Sequence, residues 1–483
     1  MRARSSPELG TFALRTEPSS HRATQSVKVP PVSTPIVHRG IAPRYWSVRT
    51  AHGGATTLPA VGALIDIAYV SAAAVTSPIW SWRMWRAGKL QTDWAARMGE
   101  VRPQLRPKAE RPRVLVHAVS VGEVNAVRNL VSQLGDTCEV IVSATTDTGF
   151  ARAVQVFEPD VRVVRYPFDM SSAVRSFLDA VRPDAALLCE LEVWPNFSEA
   201  CVERGIPLAV VNGRLSARSF RGYYRGRAVL SPMFRRLAAV GAQDQAYADR
   251  FAQMGVPRER IAVTGTMKWD TAEIADHVPG ADELARELGI DRSRPLVVAG
   301  STAPEEHALL HAAVREGVQL LCAPRKPEWF ERAAADLPGC VRRSGRGSPA
   351  RPGSDRFLLD SIGELRRAYA LADIVVIGRT FGNLHGSDMM EPAALGRCIV
   401  TGPRTDDFAA TADALREGRG LVDATRASIA DVIAGLAQDA PRRAALGRAA
   451  REVVRAHQGA TERTCALARR LIASSRARSA ESA

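Results

Sequence analysis

The stretch VLVHAVSVGEVNAVRNLVSQL, residues 114–134, decides the fold class. It opens with a largely apolar run over 114–119, which is typical of a strand covered on both faces and hence of a parallel sheet. A turn containing Gly122 follows, and residues 124–134 have a helical pattern. A buried strand that leads through a turn into a helix is the repeating unit of a doubly wound α/β fold.

The same unit recurs in two sets from residue 109 onward. The first set has further strand-like runs at 138–146, 161–167, 185–190, 208–214, 238–243 and 261–266, separated by helical stretches such as 171–181 and 245–254. Residues 271–290 break this pattern and are the predicted linker. The second set has strand-like runs at 295–302, 317–325, 356–360, 373–379 and 398–403, and the Ala- and Arg-rich residues 441–475 predict terminal helices.

These two sets predict an α/β protein of the GT-B type, with two Rossmann-like doubly wound domains facing a central cleft. We expect the first domain over 109–280, the second over 291–455, and a terminal helix and tail over 456–483. Dehydrogenases and sugar epimerases are also built from two such halves, so the architecture alone leaves the function open. No G-x-G-x-x-G motif follows the first strand of either half, which argues against a dinucleotide.

The chain before residue 91 is of two kinds. Residues 1–57 are rich in Ser, Thr, Pro and Arg, a composition shared by organellar targeting peptides, disordered extensions and start regions placed too far upstream. Residues 58–90 contain an apolar run about as long as the roughly 20 residues of a spanning helix, followed by an edge made of Trp80, Trp82, Trp85, Arg83, Arg86 and Lys89. This edge predicts a membrane anchor or interfacial helix, with a core helix as the alternative, and Asp66 within the run argues against a spanning helix.

Charge and cysteine usage narrow the partners and the compartment. A net charge of +14 and an isoelectric point near 10.0 indicate an anionic partner, unless the chain is simply rich in arginine. The candidates are nucleic acid, an anionic membrane surface and phosphorylated small molecules. An aromatic content of 6% and the lack of zinc-finger or RNP-type spacing argue against nucleic acid. The 7 cysteines form no CxxC pair, which indicates free thiols in a reducing compartment.

The turn after the first strand, HAVSVGEVN at 117–125, carries a candidate catalytic carboxylate. Ligands bind beyond the carboxyl ends of the strands in open α/β sheets, so we expect Glu123 to point toward the cleft. There it would take the proton from a sugar hydroxyl as a general base. The alternative is an acid that lies at a helix N-terminus because the macrodipole favours it, which would lower its pKa.

A second pair of acids, Glu190 and Glu192, leaves another strand in the segment ELEVWPN at 190–196. One of them would orient the acceptor or support the base, and Trp194 would stack on a sugar or shape the wall of the site. The alternative is an ordinary loop carboxylate beside a half-buried tryptophan.

Three loops of the second half are candidates for binding the donor. The segment AGST at 299–302 offers backbone N–H groups and hydroxyls to a phosphate. The segment APRKPE at 323–328 places two cations at another strand end, suited to a phosphate or a sugar carboxylate. The glycine-rich loop at 378–396 opens a helix whose N-terminus suits a phosphate, and Glu391 would accept hydrogen bonds from ribose hydroxyls.

Taken in order, these segments resemble the 3-deoxy-D-manno-octulosonic acid (Kdo) transferases of lipid A assembly. The matching landmarks are HAVSVGE (117–123), ATTDTG (144–149), YPFD (166–169), ELEVWPN (190–196), NGRLSARS (212–219), TGTMKWD (264–270), AGST (299–302), APRKPEWF (323–330), DSIGELRRAYALAD (360–373), EPAALG (391–396) and TGP (401–403). The match covers roughly residues 60–455. The resemblance implies an inverting glycosyltransferase of family 30, with CMP-Kdo as donor, a lipid A precursor of the lipid IVA type as acceptor, and neither cofactor nor metal. The chain contains no Asp-x-Asp pair, in agreement with a metal-free site.

The resemblance also implies roles for individual residues. Glu123 takes the position of the general base, with Glu190 and Glu192 as further catalytic acids. The residues expected to bind the donor are Ser301, Thr302, Arg325, Lys326, Gly386, Ser387 and Glu391, and those expected to bind the acceptor are Ser120, Gly122, Trp194, Arg214 and Lys268. The chain departs from the family pattern at Leu191, Arg379 and Lys326, where Thr, Gly and His are usual, and at His385-Gly386-Ser387-Asp388, where Gly-Gly-His-Asn is usual.

The expected partners are CMP-Kdo, a lipid A precursor and a membrane surface with anionic lipid, without nucleic acid. The expected location is the cytoplasmic face of the inner membrane, with organellar targeting by residues 1–57 as the alternative. Other functions stay open: a GT-B-like sugar-nucleotide epimerase, a GT-B glycosyltransferase with another acidic sugar donor, or a basic protein that binds membranes or nucleic acid. An epimerase would need no anchor, and a binding protein would leave the strand-end carboxylates without a role.

Overall fold

Two seven-stranded sheets carry the fold, and every strand pairing in them is parallel. The computed structural model describes residues 66, 67, 69, 71, 75–77, 82, 86, 92–102, 105, 111–345 and 353–481. Both sheets belong to one unit, Thr57–Ala483, and the other unit, Met1–Thr56, contains no described residue.

The first domain is built on the strand order β3-β2-β1-β4-β5-β6-β7. Its strands are β1 (Arg113–His117), β2 (Glu139–Ala144), β3 (Arg162–Arg165), β4 (Ala185–Cys189), β5 (Leu208–Gly213), β6 (Ala239–Ala242) and β7 (Ile261–Val263). Its helices are α1 (Trp94–Arg97), α2 (Val121–Ala126), α3 (Arg128–Gly135), α4 (Asp147–Phe157), α5 (Ser171–Val181), α6 (Pro195–Glu203), α7 (Ala217–Arg225), α8 (Arg227–Arg235) and α9 (Gln245–Gln253).

The second domain is built on the order β10-β11-β9-β8-β12-β13-β14. Its strands are β8 (Leu296–Thr302), β9 (Gln319–Pro324), β10 (Val341–Arg342), β11 (Arg356–Leu358), β12 (Ile374–Ile377), β13 (Cys398–Thr401) and β14 (Leu421–Asp423). Its helices are α10 (Ala281–Leu288), α11 (Pro304–Ala313), α12 (Phe330–Asp336), α13 (Leu365–Leu371), α14 (Met390–Ala394), α15 (Ala409–Glu417), α16 (Ile429–Gln438) and α17 (Ala440–His457), and a last helix, α18 (Ala460–Glu481), ends the described chain.

Each sheet is covered on both faces, as the apolar runs predict. In β1, Leu115 packs into one core, whereas Val114 and Val116 pack into the core on the opposite face. A strand with helices on both faces has no polar side, so its residues form a continuous apolar run instead of alternating. The doubly wound GT-B architecture expected from the sequence is therefore confirmed.

Local differences from the sequence-based expectation have simple causes. The strands β10 and β14 were not predicted, because edge strands of two or three residues leave almost no periodic signal. The predicted linker, 271–290, contains α10, whose Leu284 and Leu288 are buried in the core of the second domain. The predicted helix at 124–134 is two helices, α2 and α3, that meet at Val127.

The last helix returns to the first domain. The side chains of Cys465, Leu467 and Ile472 on α18 join the same core as β1 and β2, so the tail predicted over 456–483 contributes to that domain. The start of α18 is held by Asp270, whose carboxylate accepts hydrogen bonds from the backbone N–H groups of Gly459 (2.7 Å) and Thr461 (2.5 Å). An anion at a helix N-terminus satisfies otherwise unpaired donors there.

The N-terminal expectations fall mostly outside the described residues. Residues 1–57 lie wholly outside them, and of residues 58–90 only 66, 67, 69, 71, 75–77, 82 and 86 are described, all in helical conformation. None of the helices in the described part of the chain has the length and apolar composition that crossing a bilayer requires. Asp66 accepts hydrogen bonds from the Ser171 backbone N–H and from Asn196 Nδ2, both at 3.0 Å, so its carboxylate is satisfied by the first domain.

Candidate active site

The first sheet reverses its strand order between β1 and β4, which are neighbours although β2 and β3 lie between them in sequence. At such a switch point the loops that leave the two carboxyl ends diverge and open a crevice for a ligand. Ser120 lies in the loop after β1, Gly122 and Glu123 lie in the first turn of α2, and the loop after β4 carries Glu190 and Glu192. The structure therefore brings together the two carboxylate clusters that the sequence singled out.

Glu123 is half-buried in the first turn of α2. Its Oε2 accepts a hydrogen bond from the Val119 backbone N–H and its Oε1 one from Ser120 Oγ, both at 2.9 Å. Ser120 is the N-cap of the helix, so this pair forms a capping arrangement that fixes the carboxylate. Burial raises the pKa of Glu123 despite these hydrogen bonds, and the charges of Glu190 and Glu192 raise it further.

In the second cluster, Glu190 has an unusual backbone conformation and Glu192 is hydrogen-bonded to Trp194. Glu190 adopts a φ of 58°, a left-handed conformation that is unusual for a residue other than glycine. Glu192 accepts a hydrogen bond at 3.0 Å from Nε1 of Trp194, whose side chain is 39% exposed. Burial raises the pKa of Glu192, the Trp194 hydrogen bond opposes the shift, and the charge of Glu190 adds to it.

This arrangement favours proton transfer at Glu123. A carboxylate is a weak base at its ordinary pKa, and a raised pKa brings it closer to the operating pH, where general-base catalysis is most efficient. The charges of Glu190 and Glu192 add to the effect of burial in disfavouring ionisation of Glu123. The alternative interpretation of Glu123, a helix-terminal acid with a lowered pKa, is wrong in its pKa, although the capping contacts themselves are present.

His117, at the end of β1, belongs to the core beneath this site. Its ring is fully buried, stacks on Tyr166 with ring centroids 3.8 Å apart, and contacts Ser143 Oγ at 3.0 Å through Nδ1. Burial lowers the pKa of His117 to about 3, so the ring is neutral at physiological pH. It therefore supports the turn at 117–125 by packing.

The second sheet has its own switch point between β8 and β12. A cavity of about 230 Å³ opens beside it. It is lined by Ser301 near the end of β8, by Asp388 and Glu391 after β12, by Thr271, Ala272 and Glu273 from the inter-domain segment, and by Leu365, Arg366, Tyr369 and Met390. Two of the residues predicted to bind the donor, Ser301 and Glu391, therefore line one cavity.

The cavity combines carboxylates with nearby cations. Burial raises the pKa of Glu391, and the positive charge of Arg366 opposes the shift. Burial likewise raises the pKa of Asp388, and the charge of Lys268 opposes that shift. Lys268, expected to bind the acceptor, is therefore within electrostatic reach of this cavity. Such a site offers acceptors for hydroxyl groups and positive charge for a phosphate.

Other predicted donor residues differ in their access to a ligand. Thr302 is fully buried, and its Oγ1 lies 3.0 Å from Nε2 of His307. Lys326 pairs with Glu328 at 3.3 Å and lies over the Trp329 ring, which leaves less of its charge for a ligand.

The remaining predicted residues fall into two groups. Arg214 and Arg325 have exposed side chains at their strand ends. Gly386 has a φ of 93°, and a Cβ there would lie 2.9 Å from the Arg404 carbonyl oxygen, so glycine is required. Ser387 is 6% exposed, and its Oγ has no hydrogen-bond partner among the described residues.

Comparison with known proteins places this site in a family. Residues 92–271 match the family described as 3-Deoxy-D-manno-octulosonic-acid transferase (kdotransferase). A 3-deoxy-D-manno-octulosonic acid transferase of Bordetella pertussis is 33% identical over 412 residues, which cover 80% of this chain and 94% of that one. The chain belongs to the 3-deoxy-D-manno-octulosonic acid transferase family. Relatives of the same name from Haemophilus influenzae and Chlamydia trachomatis serovar A are 30% and 26% identical and cover 72% and 79% of this chain and 85% and 90% of their own.

This membership makes the chain a glycosyltransferase. Similar solved structures include the C-terminal CMP-Kdo binding domain of WaaA from Acinetobacter baumannii, with 23% identity, a TM-score of 0.34, and coverage of 36% of this chain and 95% of that one. MurG from the same organism has 14% identity, a TM-score of 0.47, and coverage of 74% and 99%.

Three further residues of this glycosyltransferase matter to the site but were not singled out from the sequence. Asp169 caps α6 beside the Trp194 loop by accepting hydrogen bonds from the backbone N–H groups of Asn196 (3.0 Å) and Phe197 (2.8 Å). Arg366 lines the cavity beside β8 and β12, and Glu306 contacts the loop that follows β12. Each lies in or next to a quoted landmark, yet the helix and loop contacts that give it a role are visible only in three dimensions.

Proposed function

We propose that this family member transfers Kdo from CMP-Kdo to a hydroxyl of a lipid A precursor of the lipid IVA type, with inversion and with Glu123 as the general base. The observation that supports this most is the half-buried Glu123 carboxylate at the β1–β4 switch point, where burial raises its pKa. A proton acceptor at this place is what an inverting transfer requires.

The proposed reaction is a single displacement. The acceptor hydroxyl oxygen forms a bond to the anomeric carbon of Kdo as the bond from that carbon to the phosphate oxygen breaks, and CMP leaves with the electron pair. Glu123 takes the hydroxyl proton. Glu190 and Glu192 keep the pKa of Glu123 raised, and Trp194 lines the acceptor side beside Glu192.

The donor is proposed to occupy the cavity beside β8 and β12. Glu391 and Asp388 would accept hydrogen bonds from ribose or sugar hydroxyls, while Arg366 and Lys268 supply positive charge near the phosphate. Arg325 would add charge from its neighbouring strand end. We propose that no metal takes part, so that chelation by EDTA leaves the rate unchanged.

Association with the cytoplasmic face of the inner membrane is part of the proposal, because the acceptor is an amphiphile; organellar targeting by residues 1–57 is the alternative location. Three described apolar residues of the N-terminal segment are exposed: Ile67 by 61%, Val75 by 79% and Trp82 by 53%. The first domain adds a surface over 204–243, which contains eight arginines and no acidic residue. Anionic lipid headgroups attract such a surface.

Two helices present this basic surface next to the acceptor side. Arg218, Arg221 and Arg225 are exposed on α7, and Val229 on α8 is 81% exposed. The charge of Glu192 reaches Tyr223 on α7, which places the surface close to the carboxylate site. Exposed apolar residues within a basic surface are typical of contact with a membrane interface.

The test is a transfer assay with purified full-length protein, CMP-Kdo and tetraacyl lipid A precursor. The expected result is a lipid product heavier by one or more Kdo residues, identified by mass spectrometry. Folded protein that gives no such product excludes the proposal. Transfer of a different acidic sugar would confirm a glycosyltransferase activity but exclude CMP-Kdo as the donor. Epimerisation of a nucleotide sugar without any acceptor would favour the epimerase alternative.

A further inference from the structure

Glu306 is a buried carboxylate on α11, the helix that follows the first strand of the second domain. Its side chain is 0% exposed. Its Oε2 accepts hydrogen bonds from the backbone N–H groups of Ala303 (2.9 Å) and Arg379 (2.7 Å). Its Oε1 accepts from those of Thr380 (2.9 Å) and Phe381 (3.0 Å). One side chain thus satisfies four backbone donors.

These contacts exceed what a helix cap needs. Only the Ala303 N–H belongs to the start of α11, whereas the three other donors lie in the turn at 379–381, more than seventy residues later. Among the described residues, no lysine or arginine side chain forms an ion pair with Glu306, and its hydrogen-bond donors are four backbone N–H groups. Burial raises the pKa of Glu306, and the four N–H donors oppose the shift.

The turn at 379–381 has a strained backbone and is held by further hydrogen bonds. Arg379 has a φ of 64°. Thr380 Oγ1 donates to the Ile377 carbonyl oxygen at 2.6 Å and accepts from the Gly402 N–H at 2.8 Å, which ties the turn to β12 and to the loop after β13. A left-handed conformation at a residue other than glycine persists only where surrounding contacts hold it.

The turn also controls the loop that reaches the donor-side cavity. The Gly386 N–H donates to the Arg379 carbonyl oxygen at 2.9 Å, and Arg379 Nε donates back to the Gly386 carbonyl oxygen at 3.0 Å. Asp388 and Glu391, a few residues further on, line the cavity. A shift of the turn is therefore passed directly to the residues that face the donor.

We propose that Glu306 is a positioning residue for the donor: by fixing the turn at 379–381 it holds the segment from Gly386 to Glu391 against the cavity. This inference rests on the proposed function for the identity of the donor. It does not require Glu306 to touch the donor, because the side chain is enclosed by its four backbone partners.

Replacing Glu306 with Gln tests this directly. The amide has one oxygen in place of two and an NH₂ group that cannot accept, so at least one pair of backbone N–H groups loses its partner. We expect the KM for CMP-Kdo to rise at least about tenfold, with the KM for the lipid acceptor within about twofold of wild type. Binding of CMP alone, measured by calorimetry, should weaken by a similar factor. Amide hydrogen exchange over 379–386 should become faster in the absence of any substrate.

Glu316→Gln is the matched control, because it makes the same chemical change at an exposed residue in the turn after α11. It should leave both KM values and the exchange of 379–386 unchanged. If Glu306→Gln does not fold, Glu306→Asp keeps the charge but shortens the side chain by one methylene, and the same KM split and faster exchange are expected.

The inference is overturned if a folded Glu306 variant keeps the wild-type donor KM and the wild-type exchange of 379–386. It is also overturned if faster exchange is confined to the start of α11, since Glu306 would then serve only as a helix cap. If the wild-type protein transfers no Kdo, the proposed function fails, and CMP binding together with exchange still decides the role of Glu306.

Discussion

Glu123 and Glu306 occupy equivalent places in the two domains. Each is the third residue of the helix that follows the first strand of its sheet, and each reaches back to a backbone N–H before that helix, of Val119 in one case and of Ala303 in the other. Both therefore begin as helix-capping acids, a role that the local sequence dictates.

Their surroundings then separate them. Glu123 is half-buried, faces the charges of Glu190 and Glu192, and has one backbone partner. Glu306 is fully buried, has four backbone partners and forms no ion pair with a described residue. A carboxylate with spare lone pairs and like-charged neighbours is suited to accept a proton, and one whose lone pairs are all engaged is suited to hold a loop. In the proposed function, the same position thus serves proton transfer in one domain and the positioning of a loop in the other.

The strongest way to break this comparison is to remove the base. Glu123→Gln keeps the size and the N-cap contact to Ser120 but cannot take a proton. We expect kcat to fall about 10²- to 10⁴-fold, the usual contribution of a general base, with CMP binding close to wild type. Product formation from CMP-Kdo and the lipid acceptor measures kcat. A variant that keeps wild-type turnover would show that the two glutamates differ in burial but not in function.

Asp169 is an intermediate case, a half-buried carboxylate at the N-terminus of α6. Burial raises its pKa to about 6, against the N–H donors of Asn196 and Phe197. Because the folded-state pKa lies above the unfolded value of about 3.9, its contribution to stability is greatest below about pH 4 and is lost as the pH rises to about 6. The loss is at most about 3 kcal/mol and smaller where water screens the side chain.

Urea unfolding of wild type and Asp169→Asn at a series of pH values isolates this contribution. The amide keeps an acceptor for the helix N-terminus and does not titrate. The difference in the free energy of unfolding between the two proteins should therefore change between pH 4 and 6 and stay constant above. If the difference in the free energy of unfolding does not change over that range, the hydrogen bonds to Asp169 offset the cost of its burial.

The sequence predicts those features that depend on the local residue pattern. It does not predict contacts between residues that are far apart in the chain. Continuous apolar runs identify the central strands, and Glu123 is marked by its turn between a strand and a helix. Glu306 has the same local signature, yet its function depends on the turn at 379–381, and nothing in local spacing indicates that pairing. The contact of the Thr302 hydroxyl with His307, 3.0 Å from Oγ1 to Nε2, is likewise visible only in the structure.

A basic segment of the first domain gives a third test. Residues 204–243 of the first domain carry eight arginines without an acid, and Arg221 and Arg225 are exposed on α7. Each basic residue near an anionic membrane is worth about 1 kcal/mol, so Arg221→Gln with Arg225→Gln should weaken binding to anionic vesicles roughly thirtyfold. Cosedimentation with vesicles measures it. Arg448→Gln, at an exposed residue on α17 of the second domain, is the control. An equal loss of vesicle binding in that variant would show that the effect is not specific to α7.

The smallest expected effect concerns the like charges that distinguish Glu123 from Glu306. The negative charge of Glu192 helps to raise the pKa of Glu123, although burial is the larger cause. Glu192→Gln removes that charge, so the pKa of Glu123 should fall, and the acidic limb of kcat/KM should move to lower pH by less than about one unit. Wild type and Glu192→Gln are assayed with the same substrates, so titration of the substrates cancels and the difference between the two pH profiles reports on the enzyme. A limb that stays in place would mean that the charge of Glu192 does not tune Glu123, and the two glutamates would then be distinguished by their burial and their backbone partners.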